Sequence, residues 1–162
     1  MILHAGLVAR RLGGSWRGVL IGGPSGAGKS DLALRARDLG FRLVADDRVL
    51  VFASQGRLFG RAPAALAGLI EVRGFGVAVL AHLPFAEIVL MARCVTAPTD
   101  VERLADRARE SIFGIEIPTL DLWAPAPSAP AKLSVALERL GPRPQPEYLA
   151  RFASPGPRIL GA

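Results

Sequence analysis

The chain carries, near its start, the stretch Gly23-Pro24-Ser25-Gly26-Ala27-Gly28-Lys29-Ser30. This stretch matches the pattern G-x-x-x-x-G-K-[ST] at every fixed position. Glycines let a backbone loop wrap closely around an anion, with consecutive N–H groups pointing inward. In such a loop, Lys29 reaches the β- and γ-phosphates of a nucleotide, and the Ser30 hydroxyl serves a magnesium ion. All eight residues are therefore predicted to bind nucleotide phosphates.

The residues on either side of this loop favour the same interpretation. Residues 18–21 are apolar and predict a short buried strand, and residues 30–39 predict a helix whose N-terminus faces the phosphates. The alternative is a glycine-rich turn that joins a strand to a helix and binds no ligand. The bare pattern is common by chance, but its occurrence between such a strand and helix is not, so we favour the phosphate site.

Length and composition indicate one globular domain. The 162 residues are 51% hydrophobic and 21% charged, which suits a single core and leaves too little chain for two ordinary domains. No apolar run approaches the roughly 20 residues of a membrane-spanning helix. The N-terminus has no recognisable signal peptide, and Cys94 is the only cysteine. We therefore expect a cytoplasmic protein that does not bind membranes.

The positive charge of the chain does not identify a partner. The formal net charge is +6, and nearly all cationic residues are arginine. These arginines are scattered, with no basic run longer than Arg10-Arg11 and no interleaved aromatic residues. A dedicated nucleic-acid surface is therefore not expected, whereas acidic proteins and phosphorylated ligands stay open as partners.

The hydrophobic pattern predicts an α/β domain with a strand-rich middle. Residues 1–8 predict a strand that pairs ahead of the loop strand. Because a helix joins the strands at residues 18–21 and 41–45, we expect a parallel core, and hairpins then extend it into a mixed sheet. Further strand or extended segments are predicted at residues 49–52, 57–59, 76–80, 87–91, 115–118 and 120–123.

Few helices are expected after the first one. A short helix is predicted at residues 63–70, and Thr99 with Glu102 fits a capping box that opens a helix to about residue 110. A final amphipathic helix covers residues 131–140. Residues 142–162 are proline-rich and predict an irregular tail. The predicted domains are therefore a catalytic domain at residues 1–141 and a tail at residues 142–162.

Two acidic segments accompany the phosphate loop. Asp46 and Asp47 follow an apolar strand, at the edge where an α/β sheet binds its ligand. Adjacent strand residues point to opposite faces, so one carboxylate should face the γ-phosphate while the other supports it. The alternative is an Asx turn that leaves the sheet. Glu71, Arg73, Gly74 and Gly76 form a second unusual segment, which a solvated ion pair would explain equally well.

In this order, the three segments resemble the catalytic domain of the HPr kinase/phosphorylase family. The family's P-loop, its strand ending in two aspartates and its Glu-x-Arg-Gly-x-Gly signature correspond to residues 23–30, 43–49 and 71–76. The resemblance covers roughly residues 3–140. It implies an α/β P-loop kinase domain of the HPr kinase/phosphoenolpyruvate carboxykinase-like type, with a mixed twisted sheet around a central P-loop helix. It also implies a short form without the family's separate N-terminal domain.

The resemblance further implies a serine kinase that uses ATP and Mg²⁺. Its partner would be the phosphocarrier protein HPr, in a phosphotransferase system. In the reverse reaction, inorganic phosphate would remove the seryl phosphate and release pyrophosphate. Family members are typically hexamers, so a homo-oligomer is expected.

Site roles also follow from the resemblance. Lys29 would contact the transferring phosphate, and Ser30 and Glu71 would serve Mg²⁺. Asp47 would accept the seryl proton, with Asp46 in a supporting role. His4, which alone would be interpreted as a core residue, would lie beside Asp47 and tune it. Arg103 would stabilise charge on the transferred group, although a solvated helix face would explain it equally well.

One segment departs from the family pattern. Residues 122–132 correspond to the family segment linked to phosphorolysis, yet they contain no arginine and only one cation, Lys132. The kinase direction is therefore expected more strongly than the reverse reaction. Two alternatives stay open: a P-loop kinase of a small metabolite, and a nucleotide-sensing module without turnover in which the base has lost its partner.

Overall fold

The computed structural model describes residues 1–102 and 108–141. The chain folds as a mixed α/β domain, which confirms the predicted fold class. The strands are β1 Ile2–Leu3, β2 Gly6–Leu12, β3 Ser15–Gly22, β4 Arg42–Ala45, β5 Val49–Ser54, β6 Arg57–Arg61, β7 Leu69–Val72, β8 Gly76–Val79, β9 Ala86–Cys94, β10 Arg109–Ile112 and β11 Ile115–Leu122. The helices are α1 Lys29–Ala36 and α2 Ala129–Leu140, with short 3₁₀ turns at Arg37–Leu39, Ala64–Leu66 and Pro98–Asp100.

Within the described residues, nine strands form one sheet in the order β1-β5-β6-β9-β3-β2-β4, and β11 also pairs with β9 and carries β10. The other two strands, β7 and β8, pair only with each other. Three strands pair with β9. Strand β3 pairs along one edge of β9, and on the opposite edge β6 pairs with the start of β9 and β11 with its end. The sheet is therefore mixed, as predicted.

The strands on either side of the P-loop helix are not neighbours, which corrects the expected parallel core at this place. Strand β2 lies between β3 and β4 and pairs antiparallel with both. Strands β3 and β4 therefore run in the same direction without touching. The parallel pairs are instead β3 with β9 and β9 with β11. Long-range pairing of β2 decides this order, and the local pattern carries no signal for it.

Both faces of β3 are buried, which explains its continuous apolar run. Val19 and Ile21 point to a core that includes Leu32 of α1 and Leu133 of α2. Leu20 points the opposite way, into a second core on the other face of the sheet that includes Leu7 and Ile88. This alternation holds the P-loop strand from both sides and so gives the loop after it a rigid base.

The predicted helix at residues 63–70 is wrong, and the one at residues 99–110 is wrong at both of its ends. The segment at residues 99–110 begins with a 3₁₀ turn, in which Asp100 Oδ2 accepts the N–H of Ala97 at 3.1 Å, and it includes β10 from Arg109. Strand β10 forms because it pairs with β11 and buries Ile112. The segment at residues 63–70 holds only a 3₁₀ turn before β7 begins. The predicted tail at residues 142–162 lies outside the described residues, as do residues 103–107.

The helices of the described residues are short. Helix α1 spans 8 residues and α2 spans 12. Among residues 1–102 and 108–141, no helix has both the length and the apolar character needed to cross a membrane.

Candidate active site

The predicted phosphate loop joins the end of β3 to the start of α1. Gly23 has φ +132° and Gly28 has φ +88°, a left-handed backbone that favours glycine. A Cβ atom on Gly23 would lie 2.5 Å from the carbonyl oxygen of Cys94, and one on Gly28 would lie 3.2 Å from the Cβ of Ala124. Backbone conformation and close packing therefore both require glycine at these two loop positions.

The side chain of the loop lysine folds back onto the loop backbone. Lys29 Nζ donates hydrogen bonds to the carbonyl oxygens of Gly23 and Pro24, both at 2.9 Å, and Lys29 is buried. Below the loop, Cys94 is buried as predicted from its apolar surroundings. Burial raises the pKa of its thiol to about 11, while the nearby charge of Lys29 acts in the opposite direction. The thiol is therefore protonated at neutral pH.

Asp46 connects the helix start to the hairpin of β7 and β8. Ser30 Oγ donates a hydrogen bond to Asp46 Oδ1 at 2.9 Å, and the backbone N–H of Glu71 donates to Asp46 Oδ2 at 3.3 Å. Asp46 is only 5% exposed. A buried carboxylate that uses both oxygens in this way fixes the relative position of the two elements.

Asp47 lies beside His4, as the family resemblance implies. His4 Nε2 is 3.0 Å from Asp47 Oδ1, and Arg48 Nε is 3.5 Å from Asp47 Oδ2. The side chains of His4 and Asp47 are 55% and 58% exposed, so His4 is not a core residue. Asp47 has φ +61°, and its carbonyl accepts the N–H of Ala5 at 3.2 Å. The backbone therefore turns at Asp47, where it directs the carboxylate to an accessible position.

The oxygen atoms around Ser30 suit a magnesium ion. Ser30 and Asp46 place a hydroxyl and a carboxylate together at the helix start, and Mg²⁺ prefers such oxygen ligands. No group of three His, Cys, Asp or Glu side chains lies together in the described part of the chain. Mg²⁺ sites commonly combine one or two protein oxygens with the phosphates of the substrate.

The structure brings together most of the predicted site residues. The P-loop, Asp46 and the backbone of Glu71 are joined by hydrogen bonds, and His4 is joined to Asp47. Glu71 is exposed, and among the described residues no ion pair connects it to Arg73, which argues against the simple ion-pair interpretation. Arg103 lies outside the described residues.

Comparison with known proteins identifies the family. A family model of the HPr serine kinase C-terminal domain matches residues 15–124. This chain belongs to the HPr serine kinase C-terminal domain family. The matched range includes the P-loop, Asp46, Asp47 and Glu71, whereas His4 precedes it.

Relatives and a solved structure agree with this family. The chain is 40% identical over 116 residues to the HPr kinase/phosphorylase of Limosilactobacillus reuteri, covering 65% of this chain and 36% of that protein. It is 51% identical over 61 residues to the HPr kinase/phosphorylase of Levilactobacillus brevis, covering 37% of this chain and 20% of the relative. The chain thus spans about a third or less of the length of these curated relatives. The fold is similar to that of the Hpr(Ser) kinase/phosphatase from Coxiella burnetii, with a TM-score of 0.72, 24% identity, and coverage of 94% and 93% of the two chains.

Proposed function

We propose that this protein transfers the γ-phosphoryl group of ATP to a serine of an HPr-like phosphocarrier protein. The observation that carries this proposal is the pairing of Asp47 with His4 at 3.0 Å, in a chain of this family with an intact P-loop. Transfer to an alcohol needs a phosphate-binding site and a base for the hydroxyl proton. The P-loop with Lys29 supplies the first, and Asp47 supplies the second.

The proposed reaction uses residues of this chain in distinct roles. The loop N–H groups and the Lys29 ammonium bind the β- and γ-phosphates. The carboxylate of Asp47 accepts the proton of the serine hydroxyl. At the same time the serine oxygen bonds to the γ-phosphorus, and the bond between that phosphorus and the ADP oxygen breaks. His4 holds Asp47 in place by their contact. Arg103 is proposed to stabilise the negative charge of the transferred group.

Mg²⁺ is proposed as the metal of this site, where it would neutralise charge on the phosphates. Ser30 and Glu71 are the proposed protein ligands. Asp46 is proposed as the residue that orients the Ser30 ligand, because its Oδ1 accepts a hydrogen bond from the Ser30 hydroxyl at 2.9 Å. A carboxylate that orients a ligating hydroxyl raises the metal affinity of the site.

We propose the kinase direction as the principal activity. In the reverse direction, Asp47 would return a proton to the serine oxygen while inorganic phosphate takes the phosphoryl group and becomes pyrophosphate. Within residues 122–132, Lys132 is the only cation, and it is exposed. Arg35 reaches this segment from α1, but its guanidinium donates to the backbone carbonyls of Ala124 and Ala126. The phosphorolysis reaction is therefore proposed as the weaker one.

The two alternatives receive less support. A sensing module without turnover would have lost the partner of its base, whereas His4 contacts Asp47. A kinase of a small metabolite has no support from the named relatives, which are HPr kinase/phosphorylases. A cytoplasmic location and assembly into hexamers are further proposals, which rest on resemblance to the family.

The test is phosphate transfer to purified HPr with ATP and Mg²⁺, followed by intact mass and by mapping of the modified residue. A matched HPr whose acceptor serine is replaced by alanine is the control. The expected result is one phosphate on serine in the first reaction and none in the second. Binding of ATP without any transfer would overturn the proposal. ADP release with small hydroxyl compounds but not with HPr would instead indicate a metabolite kinase.

A further inference from the structure

A cavity of about 460 Å³ opens beside the P-loop. It lies between the chain start, the end of β3 and the tip of the hairpin formed by β10 and β11. Its lining is mostly apolar and includes Leu3, His4, Gly23, Met91, Ile112 and Phe113. No role in phosphate binding explains an apolar space of this size at this place.

The cavity lies beside the residue that contacts the proposed base. His4 lines it and also contacts Asp47, the proposed base. Gly23, at the beginning of the P-loop, lines it as well, whereas Ser30, at the helix start, does not. In the proposed reaction, residues next to a serine whose hydroxyl reaches Asp47 would come close to this cavity.

Phe113 occupies a backbone position that is unfavourable for it. The hairpin pairs Ile112 with Ile115, so Phe113 and Gly114 form a two-residue turn, with φ +53° and +74°. Turns of this kind favour Asn, Asp or Gly at the first position, and a bulky aromatic residue there costs on the order of 1 kcal/mol. The equivalent turn between β5 and β6 carries the polar Gln55 at φ +49°.

The exposure of Phe113 adds to the cost of its backbone conformation. The side chain of Phe113 is 55% exposed, so the folded chain gains only part of the burial energy that an aromatic residue can supply. A strained and exposed aromatic residue at the mouth of an apolar cavity is typical of a binding contact.

We propose that Phe113 and this cavity bind the apolar side chain of a residue next to the acceptor serine, and thereby position the hydroxyl at Asp47. This inference rests on the proposed kinase function and adds its specificity-determining contact. The chemistry of the lining disfavours inorganic phosphate as the occupant, because the charged side chain that lines the cavity besides His4 is the carboxylate of Glu110. The amino group of Met1, which also lines it, donates to the carbonyl of Val51. Apolar side chains fit Leu3, Met91 and Ile112.

The experiment compares the Phe113→Asn, Phe113→Leu and Phe85→Asn variants in the HPr phosphorylation assay. Asn suits the left-handed turn, so Phe113→Asn should fold at least as stably as the wild type, which thermal unfolding checks. Phe85 is the matched control, because it is also 55% exposed but lies before β9, at the end of the sheet opposite the P-loop.

We expect Phe113→Asn to raise the KM for HPr about tenfold, with little change in kcat and in the Kd for ATP, as for the loss of one apolar contact. Phe113→Leu should restore most of the affinity, and Phe85→Asn should match the wild type. HPr variants with Asp on either side of the serine provide the second half of a double-mutant cycle. The Asp substitution at the HPr residue that contacts the cavity should raise the KM of the wild-type enzyme more than it raises the KM of Phe113→Asn.

The outcomes separate the two proposals. If the wild type phosphorylates HPr and Phe113→Asn has the same KM for it, the cavity assignment is wrong and the kinase function stands. If Phe113→Asn instead weakens ATP binding, the cavity holds part of the nucleotide, and the assignment is again overturned. If the wild type transfers no phosphate to HPr, both proposals fail together.

Discussion

Ser30 Oγ donates a 2.9 Å hydrogen bond to Asp46 Oδ1, and this contact joins the start of the P-loop helix to the segment after β4. The second oxygen of the same carboxylate accepts the backbone N–H of Glu71 at 3.3 Å. One buried side chain thus links the phosphate loop, the acidic segment and the signature hairpin. Asp46 is buried beneath the loop, whereas the carboxylate of Asp47 is accessible and is the one proposed to act as the base.

Asp46→Asn should therefore reduce the kinase rate through the metal requirement. Asn can accept one hydrogen bond but removes the negative charge beside the Ser30 hydroxyl. Loss of such a supporting carboxylate typically lowers metal affinity by about 10- to 100-fold. The Mg²⁺ concentration for half-maximal rate should rise accordingly, as measured by titration at saturating ATP. Asp38→Asn, at an exposed carboxylate after α1, is the control. An unchanged Mg²⁺ titration in Asp46→Asn would contradict this account.

His4→Ala should slow phosphoryl transfer without weakening ATP binding. The variant removes the group that contacts Asp47 Oδ1 at 3.0 Å, so the base loses its fixed orientation. We expect kcat to fall by about 10- to 100-fold, below the full effect of a missing base. The other histidine of the chain, His82, is exposed and absent from the lining of the cavity, so His82→Ala is the matched control. Equal rates for the two variants would remove His4 from the site.

Glu71→Gln tests whether this exposed carboxylate serves the metal. Its backbone N–H remains available to Asp46, so the substitution changes charge and keeps the hydrogen bond of the main chain. The Mg²⁺ requirement should increase while the Kd for metal-free ATP stays constant. Glu116→Gln, at an exposed position of β11, serves as the comparison. If both variants titrate with Mg²⁺ like the wild type, Glu71 is not a metal ligand.

Cys94 should make stability depend on alkaline pH. Burial raises the pKa of its thiol to about 11 in the folded chain, so between pH 9 and 11 the unfolded chain loses a proton that the folded chain keeps. The free energy of unfolding should fall over this range by about 2 to 3 kcal/mol from this group. Urea unfolding of wild type and Cys94→Ala at several pH values measures the difference between them. As pH rises, the free energy of unfolding of the wild type should fall relative to that of Cys94→Ala. A difference that stays constant with pH would refute the burial argument.

The sequence predicted the chemistry of this site better than the path of the chain. The P-loop was predictable because its glycine spacing is a local requirement of the backbone, as Gly23 and Gly28 show. The sequence predicted that Asp46 and Asp47 would point in different directions, but the choice of Asp47 as the base came from family resemblance. Both residues lie beyond the end of β4, and the left-handed backbone at Asp47 had no signal in the sequence. The placement of His4 came from family resemblance, since an isolated histidine near apolar residues has no signal of its own.

Elements that depend on distant pairing were predicted less well. The insertion of β2 between β3 and β4 depends on its pairing with the distant β4. Strands β7 and β8 form a local hairpin, and no local pattern indicates that this hairpin stays separate from the main sheet. Residues 99–110 contain a good local capping signal, yet pairing with β11 determines the strand that begins at Arg109. Phe113 was missed because its importance lies in its backbone angle and in the cavity beside it.

The central claim is that Asp47 acts as the base for a serine hydroxyl beside a nucleotide bound at the P-loop. Its most direct test is the rate of phosphate transfer to HPr by wild type and Asp47→Asn, with the Kd for ATP measured on the same preparations. The account predicts a fall in rate on the order of 100-fold or more with an unchanged Kd. Transfer to HPr at the wild-type rate by Asp47→Asn would contradict it.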